Sequence, residues 1–305
     1  MNFDPSQFPF DHPIPLLIQQ RTSVRTYSGT PVPEELLDPL GQFLKVCDQG
    51  PLHNRVRIQM TAAEEEDAQN LKGLGTYGFI KNPAGFLIGA VQKGPGALED
   101  FGYLMEAAIL RATDLGLDTC WLGGTFRRSR FSRQIKLRKE EILPSVVSFG
   151  LEADQPRSLD AALRLAAGSD QRKPWSALFF KGDWETPLPP EEAGSFRTPL
   201  EMLRLAPSAS NKQPWRILIQ GERVHFFLER TANYPSAVWK TLLGIADLQR
   251  VDLGIAMSHF ELTALQEGLQ GSWMQLDPPP LPDDHSPEYL ISWKGADSKA
   301  APAKN

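Results

Sequence analysis

The sequence predicts an α+β fold in which one chain carries two sheet-and-helix lobes built on the same plan. Three observations predict it. The chain matches itself without gaps at an offset that carries Asp100 onto Asp252, short apolar strands alternate with helical periodicity, and a proline-led opening occurs twice.

The self-match sets "DFGYLMEAAILRATDLGLDTCWLGG", from Asp100, against "DLGIAMSHFELTALQEGLQGSWMQL", from Asp252. Asp100, Gly102, Met105, Leu110, Ala112, Gly116, Leu117 and Trp121 fall on Asp252, Gly254, Met257, Leu262, Ala264, Gly268, Leu269 and Trp273. In the first copy Phe101, Leu104, Met105, Ala108, Ile109, Ala112 and Leu115 recur at helical spacing, so a buried helix is expected, with Gly116 as its C-cap. A strand is expected after each copy, "SVVSFG" from Ser145 and "YLISW" from Tyr289. Upstream, "TPVPEE" from Thr30 is echoed by "TPLPPEE" from Thr186. The alternative is two unrelated helices in one domain. The repeated plan divides the chain into a first lobe at 1–155, a crossover at 156–190, a second lobe at 191–297 and a polar tail at 298–305 that is expected to be disordered.

Composition narrows the function classes. The chain has 305 residues and a net charge of -5, which argues against a general nucleic-acid binder. The opening "MNFDPSQFPFDHPIP" lacks a basic-then-apolar leader pattern, and no apolar run reaches membrane length. Cys47 and Cys120 make no CxxC, and the five histidines make no HxxxH, so no metal site is expected. A reduced, cytoplasmic setting follows as the simplest expectation.

Four short stretches could carry chemistry. In "QQRTSVRTYSG", Arg21, Ser23 and Arg25 alternate, so an extended chain would turn all three to one side. Two guanidiniums and a hydroxyl suit a phosphate, although so short a motif taken alone reads more simply as an ordinary helix entry with surface arginines. In "TCWLGGTF", Gly123 and Gly124 follow Leu122 at a strand end and would let a flat ligand approach the backbone; a plain turn is the other reading. In "APSASNKQPW", Pro207, Ser208, Ala209, Asn211 and Gln213 form a compact polar loop that either grips a heteroaromatic edge or is a simple turn leading into the strand at Trp215. In "QRKPW", Arg172 and Lys173 offer further positive charge, or are merely exposed. The basic run from Phe126 to Glu141 and the acidic run Glu64, Glu65, Glu66 and Asp67 read as solvated helical faces, the former also as a steering patch for an anionic substrate.

Together and in this order, "RTSVR", "CWLGG", "APSASNKQPW" and the Asp-Leu-Gly helix with its Gly-Leu exit resemble the FMN-dependent nitroreductase superfamily over most of the chain. The resemblance implies FMN at an interface between two protomers. It puts Arg21, Ser23 and Arg25 at the phosphate end, Leu122, Gly123 and Gly124 near flavin N5, and Pro207, Ser208, Ala209, Asn211 and Gln213 in the loop that the partner lends. Arg172, with Lys173 beside it, would complete the phosphate site. It further implies two-electron, ping-pong transfer from NADH or NADPH through flavin N5 to an electron-poor small-molecule acceptor, with no dedicated catalytic side chain. Dehalogenating or dehydrogenating chemistry on the same fold is an alternative, as is a non-catalytic FMN-binding protein.

The departures from the pattern are informative. The first half reads "VCDQGPLHNRVRIQM" where its own polar loop belongs, and the second half reads "ALFFKGDWE" where its paired arginines belong. Trp273 is followed by Met274, Gln275 and Leu276 rather than by two glycines. Each half lacks what the other keeps. The pattern resembles a fused, double-length member, an intramolecular pseudo-dimer with one surviving FMN site, and such a chain would be self-sufficient as a monomer.

Overall fold

The computed structural model describes residues 3–62, 75–155, 171–232, 246–278 and 287–296, with 157, 160, 168 and 280 between them. The acidic run at 64–67 and the tail at 298–305 lie outside the described residues.

Among the described residues, ten strands form two five-stranded sheets. In the first, β1 (Val56–Ala62), β2 (Gly85–Gln92), β5 (Val146–Gly150) and β3 (Asp118–Leu122) lie side by side, all antiparallel, with the short β4 (Glu141–Ile142) against β2. In the second, β7 (Trp215–Gln220), β8 (Arg223–Leu228), β10 (Glu288–Gly295) and β9 (Gly271–Met274) take the same order and sense. A further strand, β6 (Phe179–Lys181), joins the second sheet in parallel beside β7. The crossover explains it. Arg157 donates to Thr26 Oγ1 (2.8 Å) and to the carbonyls of Gly78 and Phe79 in the first half, while β6 already belongs to the second sheet.

The α-helices among the described residues are α1 (Ile14–Gln20), α2 (Glu34–Val46), α3 (Ala97–Asp114), α4 (Arg128–Gln134), α5 (Arg197–Arg204) and α6 (Leu248–Gln266). Both expected strands after the self-matching segments form, as β5 and β10. The two helices predicted from those segments, α3 and α6, are buried on nearly every side, as their near-continuous apolar composition requires. Both end alike. Gly116 (φ 78°) and Gly268 (φ 81°) take the left-handed conformation, and the amides after them return to Ala112 O and Ala264 O. Glycine supplies this geometry without the Cβ penalty. The proline-led openings differ: the first runs straight into α2, whereas the second breaks into one-turn 3-10 helices at Pro190–Glu192 and Gly194–Phe196 before α5. Gly194 (φ 54°) interrupts it. The basic run supplies α4, whose Phe131 is buried and whose Arg128 donates to Leu143 O.

The helices α3 and α6 cross at Gly102 and Gly254. A Cβ on Gly102 would sit 2.1 Å from Val251 O, and one on Gly254 would sit 1.9 Å from Glu99 O. The contact is reciprocal, because Glu99 stands three residues before Gly102 and Val251 three before Gly254. Arg250 adds an ion pair to Glu99 beside the crossing. Alanine in a helix interior ordinarily stabilises by about 1 kcal/mol over glycine. Here the sign should reverse. Gly102→Ala or Gly254→Ala forces backbone apart, and each is expected to cost on the order of 3 kcal/mol, read in urea unfolding as a lower midpoint. A midpoint equal to or above wild type would contradict the crossing.

Candidate functional site

A cavity of about 560 Å³ lies between the two halves of the chain. From the first half, α1 ends at Arg21, whose amide returns to Leu17 O (2.9 Å). The chain then extends beside β3, with Ser23 bridged in parallel to Thr119 and Val24 N donating to Thr119 O (3.0 Å). Val24 and Thr26 are buried in the core, so alternation turns Arg21, Ser23 and Arg25 to the cavity. The next wall is the end of β3. Trp121, Gly123 and Gly124 line the cavity, whereas Leu122 does not. Strand alternation sends Leu122 with Cys120 into the opposite core, among Val24, Phe86 and Phe131. Gly123 passes close under α6, since a Cβ there would lie 2.6 Å from Leu248 Cδ1, and Gly124 has open space beside it.

From the second half come Pro207, Ser208, Ala209, Ser210 and Asn211, and one face of α6: Leu248, Val251, Asp252 and Ile255 at helical spacing. The polar loop is held by its own atoms. Gln213 N donates to Ser208 Oγ (2.9 Å), Asn211 N to Ser208 O (2.9 Å), and Ala209 N to Asp252 Oδ1 (2.9 Å). Ser210, Asn211 and Gln213 all have left-handed backbones (φ 51°, 53° and 48°). Such strain, about 1–3 kcal/mol per unfavourable residue, survives only where surroundings over-determine the loop.

Those surroundings give Asn211 and Gln213 a different part from the one the motif suggests. Both Nδ2 hydrogens of Asn211 are spent, on Gly168 O (2.6 Å) and Gln171 O (2.8 Å), and its Oδ1 accepts from Gln213 Nε2 (3.1 Å) and from Arg172 Nη1 (3.4 Å). Its four hydrogen-bond positions are full. Gln213 is buried and does not line the cavity, and its Oε1 accepts from Lys173 N (2.7 Å). The two side chains weld the crossover to the loop. Arg172 is thereby set on the cavity wall, with Nη2 donating to Leu205 O (3.0 Å). Lys173 instead lines a separate pocket of about 530 Å³ with Gln213, Lys212, Glu229 and Arg230. Ten of the thirteen residues proposed from the motifs therefore meet in one cavity, and Leu122, Lys173 and Gln213 stand behind its walls.

Sequence reading missed the buried layer beneath. Glu106 on α3 accepts from Trp121 Nε1 (2.7 Å), contacts His259 Nε2 on α6 (2.9 Å) and lies 3.8 Å from Arg21 Nε. His259 Nδ1 faces Met202 O (3.0 Å), so both ring nitrogens face oxygen atoms. Burial opposes ionisation of Glu106, but His259, Arg21 and Trp121 outweigh it and hold the carboxyl below its ordinary range. Only proximity in the fold reveals this network, because Glu106 and His259 stand far apart in sequence. Ser145 was missed for the same reason.

The cavity also gathers unpaired polar atoms. Among the described residues, Arg21 Nε, Ser145 Oγ and Asp252 Oδ2 are buried without a hydrogen-bond partner, and all three residues line it. An unsatisfied buried polar group costs about 1–3 kcal/mol, and a polar ligand in the cavity could offset that cost. No group of His, Cys, Asp and Glu among the described residues could hold a metal ion, and no described helix is long and apolar enough to cross a membrane.

The family model described as "Putative TM nitroreductase" matches residues 14–264. The chain belongs to this nitroreductase family. A solved structure described as a putative nitroreductase from Thermotoga maritima msb8 is 20% identical, covers 96% of this chain and 99% of its own, and superposes with a TM-score of 0.58, which shows a shared fold. An FMN-dependent nitroreductase from Clostridium difficile R20291 is 17% identical (47% of this chain, 92% of its own, TM-score 0.36). A mutant of an FMN- and NADPH-dependent nitroreductase from sphigopyxis sp. strain HMH is 14% identical (48% and 90%, TM-score 0.36). No curated protein matches the sequence.

The buried pair beneath this family member's cavity has a testable cost. Glu106→Gln leaves Arg21 without its buried counter-charge, and breaking such a pair costs on the order of 3–5 kcal/mol at neutral pH. A carboxyl whose pKa is depressed by folding contributes stability above its unfolded pKa and loses it as pH falls through the folded one. The gap between wild type and variant in urea unfolding should therefore narrow as the pH falls below the ordinary carboxylate range. A gap unchanged with pH would contradict an ionised Glu106.

Proposed function

We propose that this chain is an FMN-dependent NAD(P)H oxidoreductase of nitroreductase type, with one cofactor site composed from both halves of an internally duplicated chain. One observation carries the reading: Arg21, Ser23 and Arg25 from the first half share a cavity with the Pro207–Asn211 loop from the second, and unpartnered buried polar atoms line it.

The residues fit the group. Arg21, Arg25 and Arg172 bring positive charge, and Arg25 has no acidic partner among the described residues. With Ser23 they suit a phosphate. Trp121, Leu248, Val251 and Ile255 give an apolar wall for a flat ring. Gly124 carries no side chain to keep a ring from the backbone, and its amide is suited to a developing negative charge. When bound, FMN supplies the chemistry, accepting hydride from NADH or NADPH and passing two electrons to an electron-poor acceptor such as a nitroaromatic or a quinone. Nicotinamide and acceptor would use the same space in turn, which is ping-pong order. The protein's part is to hold the phosphate, pack the ring and exclude water; no side chain is assigned as acid or base.

Duplication is supported by the common strand order, the common helix exits and the reciprocal glycine contact. Such a chain would supply its own partner and act as a monomer. Its two buried free cysteines go with the cytoplasm.

The test is the visible spectrum of the purified protein, followed by anaerobic addition of NADH or NADPH. The expected result is a bound flavin that one of the two nucleotides bleaches. A colourless protein that FMN cannot reconstitute would overturn the proposal, and a bound flavin that neither nucleotide bleaches would overturn its catalytic part.

A further inference from the structure

The two halves use one aspartate differently. In the first half Asp100, on α3, caps the loop at Gly50–Asn54: Leu52 N donates to Oδ1 (2.8 Å), and Asn54 N and Nδ2 donate to Oδ2 (2.8 and 2.9 Å). Both oxygens are spent. Its counterpart in the self-match, Asp252 on α6, caps the Pro207–Asn211 loop, but only through Oδ1, which accepts from Ala209 N (2.9 Å). Asn211, which stands where Asn54 stands, has turned away. Its amide donates to Ser208 O and its side chain to Gly168 O and Gln171 O. Asp252 Oδ2 is left without a partner among the described residues, on a side chain only 3% exposed that lines the cavity.

The surroundings of that oxygen say what it could meet. Leu248, Val251 and Ile255 share its helix face and are apolar. Asp252 is the one hydrogen-bonding side chain that this face offers to the cavity, set within a wall suited to a flat ring. Burial raises its carboxyl well above the usual carboxylate range, and Asp247 adds to the effect, which favours the protonated form.

We propose that Asp252 is a ligand-binding residue whose Oδ2 donates an O–H hydrogen bond to a carbonyl-type acceptor on the polar edge of the bound flavin ring. The assignment rests on the flavin reading above. It gives one side chain two tasks. Oδ1 holds the loop and Oδ2 reads the ring, so the loop closes in register with the ligand it covers. Asp100, with both oxygens spent on its own loop, has nothing to offer a ligand.

The test is infrared difference spectroscopy of the apoprotein as FMN is added, with isotope-labelled aspartate to separate protein carboxyl bands from the flavin carbonyls. The expected result is a protonated-carboxyl stretch that moves to lower frequency on FMN binding, is absent from Asp252→Asn and persists in Asp100→Asn. Asp252→Asn keeps the acceptor for Ala209 N and puts an N–H where the O–H was, so its FMN dissociation constant should stay within about threefold of wild type. FMN binding without any carboxyl shift, a shift that survives in Asp252→Asn, or a much weaker Asp252→Asn complex would each overturn the assignment and leave the flavin reading standing. A wild-type protein that takes up no FMN would overturn both.

Discussion

The close crossing of α3 and α6 at Gly102 and Gly254 is the constraint on which the rest depends. Each glycine lets the partner helix bring a backbone carbonyl to a distance that a Cβ would forbid, and each does so at the matching point of the other. Reciprocity of this kind is the mark of an isologous contact, in which one surface meets its own copy. In the proposed duplication both copies belong to one chain. The crossing brings the first turns of α6 over the end of β3, so that Leu248 touches Gly123 and the α6 face becomes a cavity wall. It also brings His259 to Glu106, and through Glu106 to Arg21 and Trp121. A buried network at the crossing thus underlies the cavity wall.

The two faces generated by that pairing differ. On one, the extended Arg21–Arg25 segment, the glycines after β3, the strained Pro207–Asn211 loop and Asp252 converge. On the other side of the crossing, Asp100 is consumed by the Gly50–Asn54 loop, and Phe3 packs edge-on against Tyr103, the counterpart of the cavity-lining Ile255. An ordinary isologous dimer must keep both faces, since both are written in one sequence. A chain that carries its own partner is free to keep one, and the proposed duplication accounts for the motifs being split between the halves.

Much of this was legible in the sequence because the relevant physics is local. The Gly-Leu exits, Gly116-Leu117 and Gly268-Leu269, require a left-handed residue at a helix end, and both helices end there. The alternation of Arg21, Ser23 and Arg25 needs only an extended backbone to bring them to one side, and β3 supplies it. What the sequence could not carry is assembled over long range. Nothing local distinguishes Glu106 and His259 from surface residues, or marks Ser145 as a cavity residue. Leu122, Lys173 and Gln213 were assigned to the ligand by motif alone. Strand alternation turns Leu122 into the core, and the hydrogen bond from Lys173 N to Gln213 turns both to the loop's support. Asn211 lies on the cavity, but its side chain is spent on the crossover.

The central claim is that one ligand site is made from two halves of one chain. Titration of the apoprotein with FMN, followed by fluorescence quenching at chain concentrations well above the dissociation constant, measures it as a stoichiometry. The account predicts one FMN per chain, with Arg21→Ala and Asn211→Ala each weakening retention although they come from different halves. Two FMN per chain, or retention that depends on residues of one half alone, would contradict it.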